Sequence, residues 1–371
     1  MTRRPAPRWR GWLRVLLAVV VAAEIAARLA ETHRIGRPLA PPRSGAAGSV
    51  TARLDAPALL ADVQALSSSE FEGRRADTEG GRRARAFVRE RFERLGLEPA
   101  VPGFLQSFSF THRSIRALLR RDRPFVLEFK DNANVLGFVR GRTEPDRFLL
   151  VSAHYDHLGV RKGDLYPGAD DNASGVAALL GFAAWFAVHP PEHTILFAAF
   201  DAEEEGCRGS EAFAQAPPLP LDRLLVDVNM DMVGRSEPKR LFVTGTRQHP
   251  EYRALLEQAA ARSAVALHAG HDRPILLTGL VDDWTTGSDH APFFERGLPF
   301  LYFGVEDHPG YHEPGDTFDG IDREFFAGAA ETILDVILAI DAAPPQPQAG
   351  RSGWSPDPGG GAPPGGGPTL L

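Results

Sequence analysis

The sequence is poor in cysteine, and this excludes two common kinds of stabilising centre. Its 371 residues include one cysteine, Cys207. A disulfide within the chain is therefore impossible, and so is a zinc site built from several thiolates. The cysteine count does not by itself decide the compartment.

The chain also lacks an excess of positive charge. Its formal net charge is −7 and its pI is near 6.0. No global basic field therefore favours nucleic acid as a partner. Hydrophobic residues make up 43% of the chain and charged residues 24%, which is the balance of a globular protein with a buried core.

A long hydrophobic run is missing from the N-terminus, where a shorter run of nine residues, 15–23, follows five arginines. A membrane-spanning helix needs about 20 apolar residues, whereas nine is the length of a signal-peptide core. The window 12–30 reaches spanning length only by including Arg14, Glu24 and Arg28. We therefore predict that residues 1–31 are a signal peptide or membrane anchor that engages the export machinery or the membrane. The protein would then be extracytoplasmic: periplasmic, secreted or membrane-anchored. The alternative is an amphipathic N-terminal helix in a cytosolic protein.

Proline and glycine divide the rest of the chain. Residues 32–54 contain three prolines and three glycines, a composition that indicates a linker. After residue 343 the sequence becomes Pro/Gly-rich and cannot bury enough apolar surface to fold, so 344–371 is predicted to be a disordered tail. The folded domain is predicted to span residues 55–343.

Within this domain, apolar runs alternate with helical patterns. Near-continuous apolar strands that alternate with helices predict an α/β fold, in which a mixed, mostly parallel central sheet is flanked by helices. The predicted strands are 125–129, 134–139, 148–152, 194–200, 224–229, 241–244 and 298–303, and the predicted helices are 56–67, 79–95, 175–188, 209–215, 250–261 and 323–340.

Five metal-binding side chains lie near these apolar runs. Three of the positions follow a predicted strand directly, and parallel strands bring their carboxyl ends to one edge of a sheet. Imidazole and carboxylate ligands suit Zn²⁺ or a similar divalent ion. Asp231 lies in a mostly apolar segment, where a carboxylate would be costly to bury without a cation. The candidate ligands are His154, Asp171, Glu204, Asp231 and His312.

The motifs around these residues resemble one known family. They are Ala-His-Tyr-Asp-His-Leu-Gly at 153–159, Asp-Asn-Ala-Ser-Gly at 171–175, Ala-Glu-Glu-Glu-Gly at 202–206, Asn-Met-Asp-Met-Val-Gly at 229–234, Gly-Ser-Asp-His at 287–290 and Tyr-His-Glu-Pro-Gly-Asp-Thr at 311–317. In order and spacing they are similar to the M28 family of dizinc aminopeptidases and related exopeptidases, over about residues 55–340. The resemblance implies the zinc exopeptidase fold, peptide substrates and two Zn²⁺ or other divalent ions.

The resemblance also assigns roles to the ligands. Asp171 would bridge the two metals. His154 and Asp231 would complete one site, and Glu204 and His312 the other.

Three further residues receive catalytic or supporting roles from the same resemblance. Glu203 would be the general base that deprotonates the attacking water. Tyr311 would donate a hydrogen bond to the developing oxyanion, and Asp156 would support His154 without binding a metal itself. The expected activity is therefore that of a zinc-dependent aminopeptidase.

Some features depart from the family and leave alternatives open. Glu205 and Cys207 occupy positions that are often apolar, so the loop after the base is expected to pack differently. No inserted protease-associated domain is evident between Pro102 and Asn134.

The alternative functions are those of a single-zinc glutaminyl cyclase, of a non-catalytic membrane-tethered binding module, and of a peptidase with dipeptidase or carboxypeptidase specificity. The retained Asp171 motif and the complete ligand set argue against the first two.

Overall fold

The computed structural model describes residues 19–22, 38–40, 52–113, 126–272 and 283–345. Its helices are α1 Ala56–Leu66, α2 Glu79–Leu95, α3 Gly175–Val188, α4 Arg208–Gln215, α5 Arg253–Arg262, α6 Ala291–Glu295 and α7 Arg323–Ala342. Its strands are β1 Glu98–Pro99, β2 Leu105–Arg113, β3 Val126–Val139, β4 Glu144–His154, β5 Gly159–Arg161, β6 Asp164–Tyr166, β7 His193–Phe200, β8 Leu224–Met230, β9 Arg240–Thr244, β10 Ala266–Ala269 and β11 Phe300–Gly304.

Nine of the described strands form one sheet in the order β1-β3-β7-β4-β8-β11-β9-β10, with β2 also paired to β3. The central strands β7, β4, β8 and β11 run parallel to one another. Antiparallel pairing begins where β3 meets β7 and where β9 meets β11. The prediction of a mixed sheet with a mostly parallel centre is therefore confirmed, and the antiparallel strands lie toward its two sides.

The central strands are buried on both faces because helices cover both. In β4, Leu149 and Val151 belong to the large core that includes α1, α2, α3 and α7. The alternate residues Phe148 and Leu150 belong to a smaller core with side chains from α4 and α6. Successive side chains of a strand point to opposite faces, so two cores explain why these strands are continuously apolar.

The segment Ala169–Val188 is the one helical stretch among the described residues that is long and apolar enough to cross a membrane. It contains α3, and 72% of its most apolar window is buried inside the fold. Its hydrophobicity is therefore explained by packing against the sheet and against α1 and α2.

The predicted terminal segments lie largely outside the described residues. In the predicted signal or anchor segment only residues 19–22 are described, and they are helical. In the predicted linker, Leu39 donates a backbone hydrogen bond of 2.7 Å to Leu267 in β10. Arg53 forms an ion pair with Glu331 of α7 at 3.1 Å. These parts of the predicted linker therefore contact the folded unit, and the tail beyond residue 345 is outside the described residues.

Candidate metal centre

The centre lies at the carboxyl-terminal edge of the parallel strands. His154 is the last residue of β4, and Asp231 directly follows β8. Glu203 and Glu204 come three and four residues after the end of β7. Because β7, β4 and β8 are parallel neighbours, these side chains are brought to the same edge of the sheet.

The carboxylate of Asp171 lies between two imidazoles. Its Oδ1 atom is 3.4 Å from Nε2 of His154, and its Oδ2 atom is 3.2 Å from Nε2 of His312. Asp171 belongs to the buried turn that leads into α3. One carboxylate thus faces two separate imidazoles, each through a different oxygen.

The remaining candidate ligands divide into two sets that share Asp171. Nε2 of His154 is 3.1 Å from Oδ1 of Asp231. Nε2 of His312 is 3.3 Å from Oε2 of Glu204. We call His154, Asp171 and Asp231 the first ligand set, and Asp171, Glu204 and His312 the second.

These separations fit a pair of tetrahedral metal sites. Zinc binds imidazole nitrogen and carboxylate oxygen at about 2.0–2.2 Å, so two ligands of one tetrahedral ion lie roughly 3.3 Å apart. The four distances within the two sets run from 3.1 to 3.4 Å. The structure therefore brings together all five of the ligands predicted from the sequence, and their donor types suit zinc.

The electrostatics of this cluster favour a bound cation. Burial raises the pKa of Asp171, and the neighbouring Glu204 raises it further. Burial also raises the pKa of Glu203, with Asp231 and Asp289 adding to the effect. Several carboxylates that share a buried space repel one another, and divalent cations would offset both the repulsion and the cost of burial.

Glu204 differs from its neighbours because two imidazoles contact it. Burial alone would raise its pKa, but the contacts with His157 and His312 outweigh burial and hold the pKa of Glu204 below its usual range. The carboxylate therefore stays ionised, which is the form that binds a metal.

Asp156 connects the first ligand set to the loop after β7. The sequence predicted that it supports His154. The backbone oxygen of Asp156 is 3.2 Å from Nδ1 of His154, and its carboxylate Oδ1 is farther away, at 3.6 Å. The carboxylate accepts backbone hydrogen bonds from Glu203 at 3.0 Å and Glu204 at 3.3 Å. Asp156 therefore holds the position of the predicted base as well as that of His154.

Two other contacts surround Glu203 and His312. The thiol of Cys207 donates to Oε1 of Glu203 at 3.5 Å, and burial raises the pKa of this thiol so that it keeps its proton. The ring of Tyr311 stacks on His312 with centroids 4.0 Å apart. Burial and the charge of Asp171 raise the pKa of Tyr311, so its hydroxyl keeps its proton and can act as a donor.

The loop after the predicted base is held in place by Glu205, an acid without a predicted role. Glu205 forms an ion pair with Arg75 at 2.9 Å and lies 3.5 Å from Nδ1 of His112. These contacts join the loop to β2 and to the segment before α2. A polar residue at this position therefore gives the loop ion pairs in place of an apolar contact.

Three residues that sequence reasoning missed also support the centre. The carboxylate of Asp316 accepts the backbone N–H of Asp171 at 3.0 Å. Arg74 is fully buried and donates to backbone oxygens around the same turn. His157 places Nδ1 2.7 Å from Oε1 of Glu204. Asp316 and His157 stand inside motifs already considered, so closeness to a ligand in sequence was the available signal.

Comparison with known proteins agrees with this geometry. The sequence profile of Peptidase family M28 matches residues 134–337, more than half of the chain. The chain belongs to peptidase family M28. The match includes all five candidate ligands, so the family resemblance inferred from the motifs is confirmed.

Relatives of this M28 chain carry peptidase names. A probable zinc metalloprotease of Pyrenophora tritici-repentis is 29% identical over 258 residues, which cover 57% of this chain and 58% of that protein. Aminopeptidase YwaD of Bacillus subtilis is 31% identical over 215 residues, which cover 55% of this chain and 44% of that protein. This M28 chain thus spans about half the length of these curated relatives.

Solved structures support the fold. A zinc aminopeptidase from Bacillus subtilis, BSAP, superposes with a TM-score of 0.58 at 18% identity, covering 76% of this chain and 95% of that one. At this identity the likeness establishes the architecture of the M28 chain. The activity has to be argued from the side chains of the centre.

Proposed function

We propose that this M28 chain is a zinc-dependent metallo-exopeptidase that removes N-terminal residues from peptides, using two metal ions. The observation that carries the proposal is the single carboxylate of Asp171, which faces His154 through one oxygen and His312 through the other. One relative is named a zinc metalloprotease, and the name of the other, aminopeptidase YwaD, supports an aminopeptidase over other peptide hydrolases. Binding and hydrolysis would both occur at the edge of the sheet where the two ligand sets meet.

The side chains around the centre have complementary tasks in this reaction. Two divalent ions held there would lower the pKa of the attacking water and polarise the scissile carbonyl. Glu203 would receive the proton of the water, and burial, which raises the pKa of Glu203, favours this transfer. Glu203 then returns the proton to the leaving amine. The Tyr311 hydroxyl donates to the negative charge that develops on the carbonyl oxygen.

The activity can be tested with paired peptides that differ only at the N-terminus. We expect stepwise release of N-terminal residues from a free peptide and none from its acetylated copy. A chelator should abolish release, and added Zn²⁺ should restore it. Release from the C-terminus would contradict the aminopeptidase assignment, as would cyclisation of an N-terminal glutamine. Absence of any turnover with Zn²⁺ present would favour a binding module.

The metal count is a separate prediction. The purified chain should bind close to two divalent ions after dialysis against trace Zn²⁺, because five ligands divide into two sets. Elemental analysis measures the ratio. A plateau at one ion per chain would contradict the two-metal proposal and favour the cyclase-like alternative.

A further inference from the structure

His157 is a buried imidazole next to the second ligand set, with no role assigned by the motif that contains it. Its side chain is 0% exposed. The backbone of Gly168 lies directly against its ring, and a Cβ atom at Gly168 would come within 2.5 Å of the ring carbon Cδ2. Gly168 also has a φ of +60°, which glycine adopts without strain. The turn before α3 is therefore shaped to leave space for this imidazole.

His157 and His312 contact different oxygens of Glu204. Nδ1 of His157 is 2.7 Å from Oε1, and Nε2 of His312 is 3.3 Å from Oε2. Nδ1 of His157 is also 3.6 Å from Oδ2 of Asp171. His157, Asp171 and Glu204 are therefore close enough together to be considered as one group of metal ligands.

The distances distinguish a hydrogen-bond donor from a ligand. Two ligands on one tetrahedral ion lie roughly 3.3 Å apart, and His312 has this separation from Glu204. The 2.7 Å between His157 and Glu204 is too short for that arrangement, but it is the length of a charge-assisted N–H···O hydrogen bond. Nδ1 of His157 and Oε1 of Glu204 are close but not aligned as donor and acceptor, and neither atom has another hydrogen-bond partner among the described residues. The assignment of His157 as a donor to Glu204 therefore depends on the short distance and on the buried charge of Glu204.

We propose that His157 is a positioning residue for the second ligand set. Its Nδ1–H holds Oε1 of Glu204, so that Oε2 stays turned toward His312. A ligand whose second oxygen is held in this way loses less freedom when it binds a metal, and such supporting contacts tune metal affinity. This inference rests on the proposed two-metal function and adds a chain-specific support to one half of it.

Three substitutions of His157 in the full chain separate hydrogen bonding from mere packing. His157→Asn places an amide N–H close to where Nδ1–H lies, whereas His157→Gln places it farther along the side chain. His157→Ala removes the donor. The readout is the dissociation constant of each bound Zn²⁺ ion, measured by competition with a chelator. Circular dichroism and thermal unfolding show whether each variant folds.

In the Ala and Gln variants we expect the affinity for the second Zn²⁺ ion to fall about ten- to a hundredfold, while the affinity for the first ion is unchanged. Asn should stay within about threefold of the unaltered protein. If the Asn and Gln variants bound the second Zn²⁺ ion with equal affinity, the proposal would be overturned even if the Ala variant failed to fold. An unchanged second ion in a folded Ala variant would also overturn it.

Cobalt substitution tests the competing role of His157 as a ligand. The visible absorption of Co²⁺ in the second site depends on the number of donors, so the Ala variant should keep the band shape if His157 only positions Glu204. A changed band shape that Asn does not restore would make His157 a ligand and overturn our assignment. The unaltered protein also separates the two proposals, because a single binding step there contradicts the two-metal function itself. If Zn²⁺ binds in two steps and the variants bind both ions with unaltered affinity, only the role of His157 is contradicted.

Discussion

Three consecutive glutamates at the end of β7 have three different environments. Glu204 contacts two imidazoles, and Glu203 has no such contact but interacts electrostatically with His154. Glu205 points to Arg75 instead of the ligand sets. The proposed roles of base, ligand and structural ion-pair partner therefore correspond to three different surroundings of the same side chain.

Glu203→Gln should abolish turnover while leaving metal content close to normal. The amide keeps the size of the side chain but cannot accept a proton from water. A general base contributes about 10²–10⁴-fold to the rate, so a loss of at least that size is expected. Peptide hydrolysis and elemental analysis of the same preparation measure the two effects.

Glu205→Gln is the matched control for this experiment. It changes the same side chain two positions later and removes the charge that faces Arg75 and His112, away from the ligand sets, so turnover should be retained with a small loss of stability. If the Glu203→Gln variant stayed active and the Glu205→Gln variant did not, the base would be misassigned.

The ligands could be predicted from the sequence because they stand next to recognisable local structure. His154 and Asp231 lie at strand ends, and the sheet edge follows from the alternation of strands and helices. The supporting roles could not be predicted, because they depend on contacts between distant segments. Arg74 and Asp316, for example, both contact the turn around Asp171, and no local pattern connects these three positions.

At the scale of elements, the long buried helices were predicted well, whereas some strands toward the sides of the sheet were not. The ranges predicted for α2 and α3 agree with the structure. β2 and β10 were missed, since β2 has many partly exposed residues and β10 is four residues long. β3 was predicted as two strands, because polar residues at 130–132 interrupt its apolar pattern. Asp77 accepts the backbone N–H groups of Lys130 and Asp131 there, a distant contact that sequence does not show.

The turn before α3 is held by one buried arginine. Arg74 donates to the backbone oxygens of Pro167 at 2.6 Å and Gly168 at 2.8 Å, and also to those of Leu66 and Tyr155. Burial lowers the pKa of Arg74 to about 10, so it remains charged at neutral pH. The planar guanidinium can satisfy several carbonyl groups at once, which a lysine cannot.

Arg74→Met should destabilise the fold by about 3–5 kcal/mol, because several buried backbone oxygens would lose their donor. Denaturant unfolding measures the change. Arg83→Met is a suitable control, since Arg83 is exposed, donates to the Glu70 backbone oxygen and otherwise forms solvent-exposed ion pairs with Glu72 and Glu79. Its substitution should cost about 1 kcal/mol or less. Equal stability losses in the two variants would contradict the role given to Arg74.

At the scale of the whole molecule, the ligands connect segments that are far apart in the chain. Each of five segments supplies one candidate ligand: β4, the loop after β7, the end of β8, the turn before α3 and the loop after β11. The large core beneath them is formed by α1, α2, α3, α7 and one face of the sheet. The core therefore fixes the strand ends, and it also includes Ala169 and Ala173 of the turn that carries Asp171.

The compartment in which this molecule folds is the remaining prediction, and it depends on the N-terminal segment. Five arginines precede the apolar run at 15–23, which is the order of a signal-peptide or anchor segment. We expect the full chain to reach the extracytoplasmic or membrane fraction and a version starting at Pro38 to stay in the cytoplasm. Val20→Asp should also block export, because a charge in the apolar run costs about 2.5–3.5 kcal/mol on insertion. Fractionation of cells that make the three proteins decides the question. If the full chain remains in the cytoplasm, the segment is an amphipathic helix and the export prediction is wrong.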